Sequence, residues 1–174
     1  IIRRDPKRAR ELVLSLSRFF RINLKQNTAV VTLKEEIDHV NAYLAIEKAR
    51  FAERLQVAIK CDDAAMSALL PSFTLQPLVE NAVKHGIAQR IEGGHLTLNV
   101  RCTTDNHIHI LVEDNAGLYK PKKEQHAGLG MDIVDKRLIH QFGQQAGLVI
   151  ECRTNQFTRM SFSIPHTHYH SHQG

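Results

Sequence analysis

Residues 75–86 read Leu75-Gln76-Pro77-Leu78-Val79-Glu80-Asn81-Ala82-Val83-Lys84-His85-Gly86. Leu75, Leu78, Val79 and Ala82 recur at helical spacing and can face a core, whereas Pro77, Asn81, Lys84 and His85 share the other side. A proline suits only the first turn of a helix, where its missing N–H has no intrahelical partner to lose, so Thr74 or a neighbour must cap it. Gly86 is the residue type that ends helices in a left-handed conformation. The spacing therefore predicts a helix over 72–85 that presents an amide and an ammonium one turn apart. An amide oxygen can ligate Mg²⁺ and an ammonium can meet a phosphate oxygen, which suits a metal-bound polyphosphate; a solvated Asn and Lys would read the same way. Glu80 could serve as a general base or could pair with Lys84 at i+4.

Working outward from this helix, residues 96–102 and 108–112 alternate like strands joined by a hairpin over 103–107. A polar stretch, 119–127, has no regular pattern. Residues 130–142 are helical, and 148–152 and 159–164 are two more strands, the last closed by Pro165. Upstream, 55–61 alternates as well. The order β-α-β-β-loop-α-β-β departs from the strict alternation of a doubly wound parallel sheet. It predicts an α+β sandwich, a mixed sheet with helices packed on one face.

Two helices precede this unit. Asp5-Pro6 is a helix start, with Ala9, Leu12, Val13, Leu16, Phe19 and Phe20 at helical spacing after it. Thr32 to Glu35 reads as a capping box. Leu33, Ile37, Val40, Leu44 and Phe51 then keep a 4-3-4 rhythm, with Glu47 where another apolar residue would fall. Such a seam fits another helix, in the chain or across a dimer, and equally one face of an ordinary domain helix. The expected division is a helical segment over 1–54, a catalytic unit over 55–165 and a histidine-rich tail over 166–174.

Composition bounds the function classes. Apolar residues make up 43% and charged residues 24% of 174, which indicates one globular core rather than a disordered chain. The net charge of +5 is spread along the chain, and aromatic residues are only 6% with no base-stacking platform. A solvated basic surface is expected, not a nucleic-acid site. Cys61, Cys102 and Cys152 lack metal-ligand spacing and lie in strand-like runs, so buried free thiols are expected. No apolar run reaches the roughly 20 residues of a membrane span. The start at Ile1 reads as a cut from a longer protein.

Two further stretches carry chemistry. In Ile110-Leu111-Val112-Glu113-Asp114-Asn115-Ala116-Gly117, an acidic residue ends an apolar strand at a tight turn. A half-buried carboxylate there can accept from an exocyclic amine such as adenine N6; alternatively Asp114-Asn115 merely forms the turn. Ala127-Gly128-Leu129-Gly130 leads into a helix behind a lysine-bearing loop (Lys120, Lys122 and Lys123). Backbone N–H groups at a helix start attract phosphate, although glycines of this kind also mark a simple helix entry.

In this order and spacing the three stretches resemble the ATP-binding domain shared by histidine kinases, gyrase, Hsp90 and MutL, the Bergerat fold. The resemblance implies that Asn81 is the N-box residue that ligates Mg²⁺ through ATP, and that Lys84 and His85 approach the nucleotide. It implies that Asp114 reads adenine with Gly117 in the same box, that Gly128 and Gly130 close on the triphosphate, and that Thr158 supports Asp114. Residues 116–128 lie where that family carries its mobile ATP lid. Over nearly the whole chain, the runs 75–86, 128–138 and 43–51 are similar to LytS/YehU-type sensor histidine kinases of two-component systems, and 14–24 to the helix after their phospho-acceptor segment. The cofactors implied are ATP and Mg²⁺. The partners implied are a second copy in the full-length protein and a response regulator, with the chain as the cytoplasmic part of an inner-membrane sensor. No P-H-F-L-F-N-like acceptor stretch occurs in the sequence, so the accepting histidine is expected upstream.

Three departures from the pattern stand out. Ala116 and Leu118 replace the two glycines of the D-x-G-x-G box, which puts nucleotide affinity in doubt if those positions need positive φ or closeness to the base. Asp132 stands where the family has Asn. Pro77 stands where an ATPase clamp of the same fold would need a catalytic Glu, one turn before Asn81. The alternatives to a histidine kinase are an ATPase or serine kinase on this fold, or an interaction module whose nucleotide site has decayed. Of eleven histidines, His39 is expected to be exposed on its helix, His107 and His109 fit a hairpin, and His166, His168, His170 and His172 alternate in the tail.

Overall fold

The computed structural model describes residues 5–25, 30–120 and 129–166. Helix α1 (Pro6–Lys25) starts on Asp5, whose carboxylate accepts the Arg8 N–H at 3.0 Å. Strand β1 (Val30–Thr32) leads into α2 (Leu33–Phe51) through the expected capping box: Thr32 Oγ1 accepts the Glu35 N–H at 3.2 Å and the Glu35 carboxylate accepts the Thr32 N–H at 2.8 Å. Then follow β2 (Leu55–Cys61), β3 (Leu69–Pro71), α3 (Leu75–Asn81), β4 (Gly94–Cys102), β5 (His107–Asp114), α4 (Leu129–Phe142), β6 (Val149–Arg153) and β7 (Phe157–Pro165).

Five strands form one mixed sheet in the order β2-β4-β5-β7-β6. Only β2 and β4 run parallel, and the connection between them carries α3, because parallel neighbours cannot be joined by a tight turn. A separate two-stranded ribbon pairs β1 with β3. Along β4, β5 and β7 the alternation is regular. Leu96, Leu98, Val100, Ile108, Ile110, Val112, Met160, Phe162 and Ile164 are each at most 2% exposed, while Thr97, Asn99, Leu111, Ser161 and Ser163 on the other face are half-buried. Against the inner face lie Leu33, Val40 and Leu44 of α2, Leu75, Leu78 and Val79 of α3, and Val134 and Leu138 of α4, in one hydrophobic cluster. This is the α+β sandwich with helices on one face.

Three expectations are corrected here. The α2 seam is satisfied within the chain, and α2 is covered beyond that seam, so His39 is only 1% exposed rather than solvated. Its ring meets Phe73 edge-on at 5.4 Å between centroids, and burial lowers its pKa. Of the three free cysteines, Cys102 and Cys152 are exposed and Cys61 is half-buried, because Cys102 ends its strand and Cys152 lies on an edge strand. Gly86 is not left-handed, for the reason given below. His168, His170 and His172 lie outside the described residues, whereas His166 Nε2 is 2.8 Å from the Ala64 carbonyl oxygen. No helix among the described residues is long and apolar enough to cross a membrane.

Candidate functional site: the α3–β5–α4 cleft

Helix α3 is short, and its start is held from outside. Thr74 occupies the N-cap position without a side-chain cap bond; its hydroxyl donates instead to the Pro71 carbonyl at 2.6 Å. The orphan donors are met by α2. Glu36, 2% exposed, accepts the N–H groups of Phe73 at 2.7 Å, Thr74 at 2.9 Å and Leu75 at 2.8 Å. Burial raises the Glu36 pKa, and the three amides and the nearby Arg137 charge oppose that rise. Pro77 falls in the first turn, where its lack of an N–H removes no helical bond.

After Asn81 the helix widens into a π turn over Ala82–Gly86 before a 3₁₀ turn, Ile87–Gln89. Gly86 has φ −104, so it is not the left-handed cap its residue type suggested. The reason for glycine is space: a Cβ there would lie 3.0 Å from both Cγ and Oδ1 of Asp114. The end of the helix is thus packed against the carboxylate that ends β5.

Asp114 is 2% exposed, and its Oδ1 accepts the Ala116 N–H at 2.8 Å and the Gly117 N–H at 3.2 Å. Burial raises its pKa, while those two amides and the Thr158 hydroxyl oppose the rise. Thr158, also 2% exposed, is the cross-strand partner of Asp114 on β7 and lies 3.8 Å from the Cys152 thiol on β6. The turn reading is realised: Asp114 shapes the turn through Oδ1, and its whole carboxylate packs against Gly86. Neither Ala116 nor Leu118 has positive φ; the left-handed residue of the turn is Gly117, at φ +62. The glycine-to-alanine and glycine-to-leucine departures therefore carry no backbone strain.

One turn along α3, the side chains of Pro77, Glu80, Asn81, Lys84 and His85 line a cleft of about 180 Å³ with Gly130 and Met131 of α4. Gly130 sits where a Cβ would be 3.8 Å from Pro77 Cβ, so the first turn of α4 faces α3 across this opening. Asn81 Nδ2 is 4.0 Å from Met160 Sδ, and no hydrogen bond among the described residues engages Oδ1. Glu80 accepts from Gln76 Nε2 at 3.0 Å and pairs with Lys84 Nζ at 3.3 Å, the i+4 arrangement. Gly128 lies outside the described residues, as do Lys122 and Lys123; Lys120 is exposed.

The structure thus brings Glu80, Asn81, Lys84, His85 and Gly130 to one cleft, with Asp114, Gly117 and Thr158 behind Gly86. The residue that sequence reasoning missed is Glu36. An acidic residue in the first turn of α2 reads as compensation of that helix's own dipole, and nothing local reveals that it serves another helix.

Residues 1–55 match the family described as histidine kinase, and residues 69–168 match the histidine kinase-, DNA gyrase B-, and HSP90-like ATPase family. Sensor histidine kinase BtsS of Escherichia coli (strain K12) is 48% identical over 165 residues, which is 95% of this chain and 29% of that protein. Sensor histidine kinase/phosphatase LytS of Staphylococcus aureus (strain MRSA252) is 36% identical over 172 residues, 91% of this chain and again 29% of the relative. The chain spans less than a third of these relatives' length. In fold, it is similar to the histidine kinase domain of the Erythrobacter litoralis EL346 blue-light activated histidine kinase, with a TM-score of 0.55 over 91% of this chain and 75% of that one at 17% identity. The chain belongs to the histidine kinase-, DNA gyrase B-, and HSP90-like ATPase family, and within it to the ATP-binding catalytic part of sensor histidine kinases.

Proposed function

We propose that the α3–β5–α4 cleft holds Mg-ATP and offers its γ-phosphoryl group to a histidine on dimerisation helices outside these 174 residues, from which a response-regulator aspartate takes it. The observation that carries this reading is the convergence of Asn81, Lys84 and Gly130 on one opening while a buried carboxylate, Asp114, stands against Gly86 at the far end of the same helix. Asp114 accepts the adenine amine, supported by Thr158 and by the Gly117 turn. Lys84 and His85 face the phosphates, and the N–H groups at the start of α4, near Gly128 and Gly130, receive them. Lys84 exchanges Glu80 for phosphate when the nucleotide enters, which frees the Glu80 carboxylate to accept a proton from the attacking imidazole. Phosphoryl transfer asks for positioning and charge neutralisation more than covalent chemistry, and this donor set supplies both.

Mg²⁺ fits the residues present. No group of three or more His, Cys, Asp or Glu suited to a metal occurs among the described residues, so a cation here needs the phosphates as its main ligands, with one protein oxygen from Asn81. When bound, the ion neutralises charge on the β- and γ-oxygens. Asn81→Ala should abolish the Mg²⁺ dependence of ATP binding yet change Mg²⁺-free ADP binding little. Equal weakening of both would make Asn81 structural.

In the whole protein the chain acts as a homodimer on the cytoplasmic side of an inner-membrane sensor, with no nucleic-acid partner. The function is tested by labelling. The purified chain should bind ATP yet take up no acid-labile phosphate from γ-labelled ATP, and should label a separate polypeptide that carries the acceptor helices, weakly because proximity is lost. Acid-labile phosphate on this chain that vanishes in His39→Ala would make His39 the acceptor instead.

A further inference from the structure

We propose that Glu36 is a positioning residue for the nucleotide cleft: from α2 it sets where α3, and hence Asn81 and Lys84, stands relative to α4. The proposal rests on the reading of Asn81 as the metal-facing residue. Helix α3 has only seven regular residues before its π turn, too few to fix its own position by helical cooperativity. Its place is therefore set by the core packing of Leu75, Leu78 and Val79 and by what holds its ends. Gly86 against Asp114 holds the far end. At the near end the holding group is the Glu36 carboxylate, which accepts three successive N–H groups, from Phe73, Thr74 and Leu75.

That grip carries signs of a cost. Phe73, a bulky aromatic residue, sits at φ +58, a left-handed conformation that non-glycine residues with large side chains seldom hold unless the surroundings impose it. The conformation turns the Phe73 N–H to the same anion as the next two amides and lays its ring against His39, so α2 contacts this turn through two residues about one helical turn apart. The junction reaches α4 as well: Arg137 Nη2 lies 3.5 Å from Ser72 Oγ, and its charge acts on Glu36. Three elements thus meet at one carboxylate, and two of them, α3 and α4, form the walls of the cleft.

In Glu36→Gln one oxygen becomes an NH₂ group that must face amide donors, so the grip on α3 loosens while side-chain size is kept. The measurement is the affinity for a fluorescent ATP analogue with and without Mg²⁺, alongside Mg²⁺-free ADP. The factor by which Mg²⁺ strengthens ATP binding should fall about tenfold or vanish in Glu36→Gln, with Mg²⁺-free ADP binding kept. Ile37→Ala, which removes core packing from the neighbouring position on α2, should lower thermal stability but keep the Mg²⁺ factor. A folded Glu36→Gln with an unchanged factor would overturn the proposal, as would an equal loss in Ile37→Ala. Absence of any Mg²⁺ effect in the unaltered chain would overturn the metal reading of Asn81 and this inference with it. Should Glu36→Gln fail to fold, amide exchange in the unaltered chain decides: the N–H groups of residues 73–75 should slow on adding Mg-ATP but not ADP alone, and no such difference would sink the proposal.

Discussion

Asp114→Ala should weaken ATP binding by about 1–3 kcal/mol, tenfold to a hundredfold, because the adenine amine loses its charged acceptor in a water-poor site. The same substitution frees the N–H groups of Ala116 and Gly117, which now share one carboxylate oxygen, so part of the loss comes through the turn. Asp114→Asn separates the two effects: its amide oxygen can still serve the turn, but an exocyclic amine no longer meets a charge. GTP, with a carbonyl where ATP has the amine, should compete poorly with ATP. The pH dependence has a definite sign. Burial raises the Asp114 pKa, and the ionised carboxylate accepts from the amine more strongly than the protonated form, so affinity should fall on acidification, starting above the range of an ordinary carboxylate near about 3.9. Bound ATP favours the charged form, so binding in that range should release a proton. Titration calorimetry in buffers of different ionisation enthalpy reads this directly. Equal affinity for ATP and GTP, or no change in Asp114→Ala, would remove Asp114 from the adenine site.

The second large effect is on stability. Gly117→Ala should destabilise the fold by on the order of 3 kcal/mol and lower Tm by roughly 10 °C, seen by calorimetry or urea unfolding. Two causes act together: φ +62 disfavours any Cβ, and that Cβ would lie 2.2 Å from the Arg153 carbonyl oxygen and 2.7 Å from the Gln156 nitrogen. Both neighbours are backbone, so neither can rotate away. Ala116→Gly, which restores a glycine the family pattern carries, should gain nothing and cost less than about 1 kcal/mol, since residue 116 is not left-handed. A Gly117→Ala protein as stable as its parent would show that the β5–β6 side can shift, contrary to the packing described.

What the sequence made legible follows a physical line. The strands of the central sheet are readable because each buries one face, so apolar residues alternate; β2 has its expected bounds and no other strand end is displaced by more than two residues. The helix starts at Asp5 and Thr32 were readable because a cap lies within three residues of the donors it serves. The start of α3 was not, because its cap comes from Glu36, 37 to 39 residues earlier in the chain. Gly86 was misread in conformation for a similar reason. A glycine needed for φ and a glycine needed for space look identical in one dimension, and the group that needs the space is Asp114. His39 shows the limit of periodicity: a helix with acidic neighbours appears solvated, yet α2 is wrapped on more than its apolar stripe. Asn81, Lys84 and Asp114 are legible as chemistry, while the cleft between α3 and α4 and the placing of Asp114 behind Gly86 belong to the fold alone.

The wide turn at Ala82–Gly86 carries two of the cleft's side chains, Lys84 and His85. A helix that carries five residues where an α-turn would carry four holds one residue in surplus. Across this widened turn Lys84 still pairs with Glu80 at i+4, and Lys84 and His85 still join Asn81 in lining the cleft. Deleting Val83 would let the segment relax to ordinary α-geometry at the expense of one side chain of the turn. A chemist grafting this cleft onto another scaffold must carry the irregular turn across intact, since two of the lining residues, Lys84 and His85, are held within it.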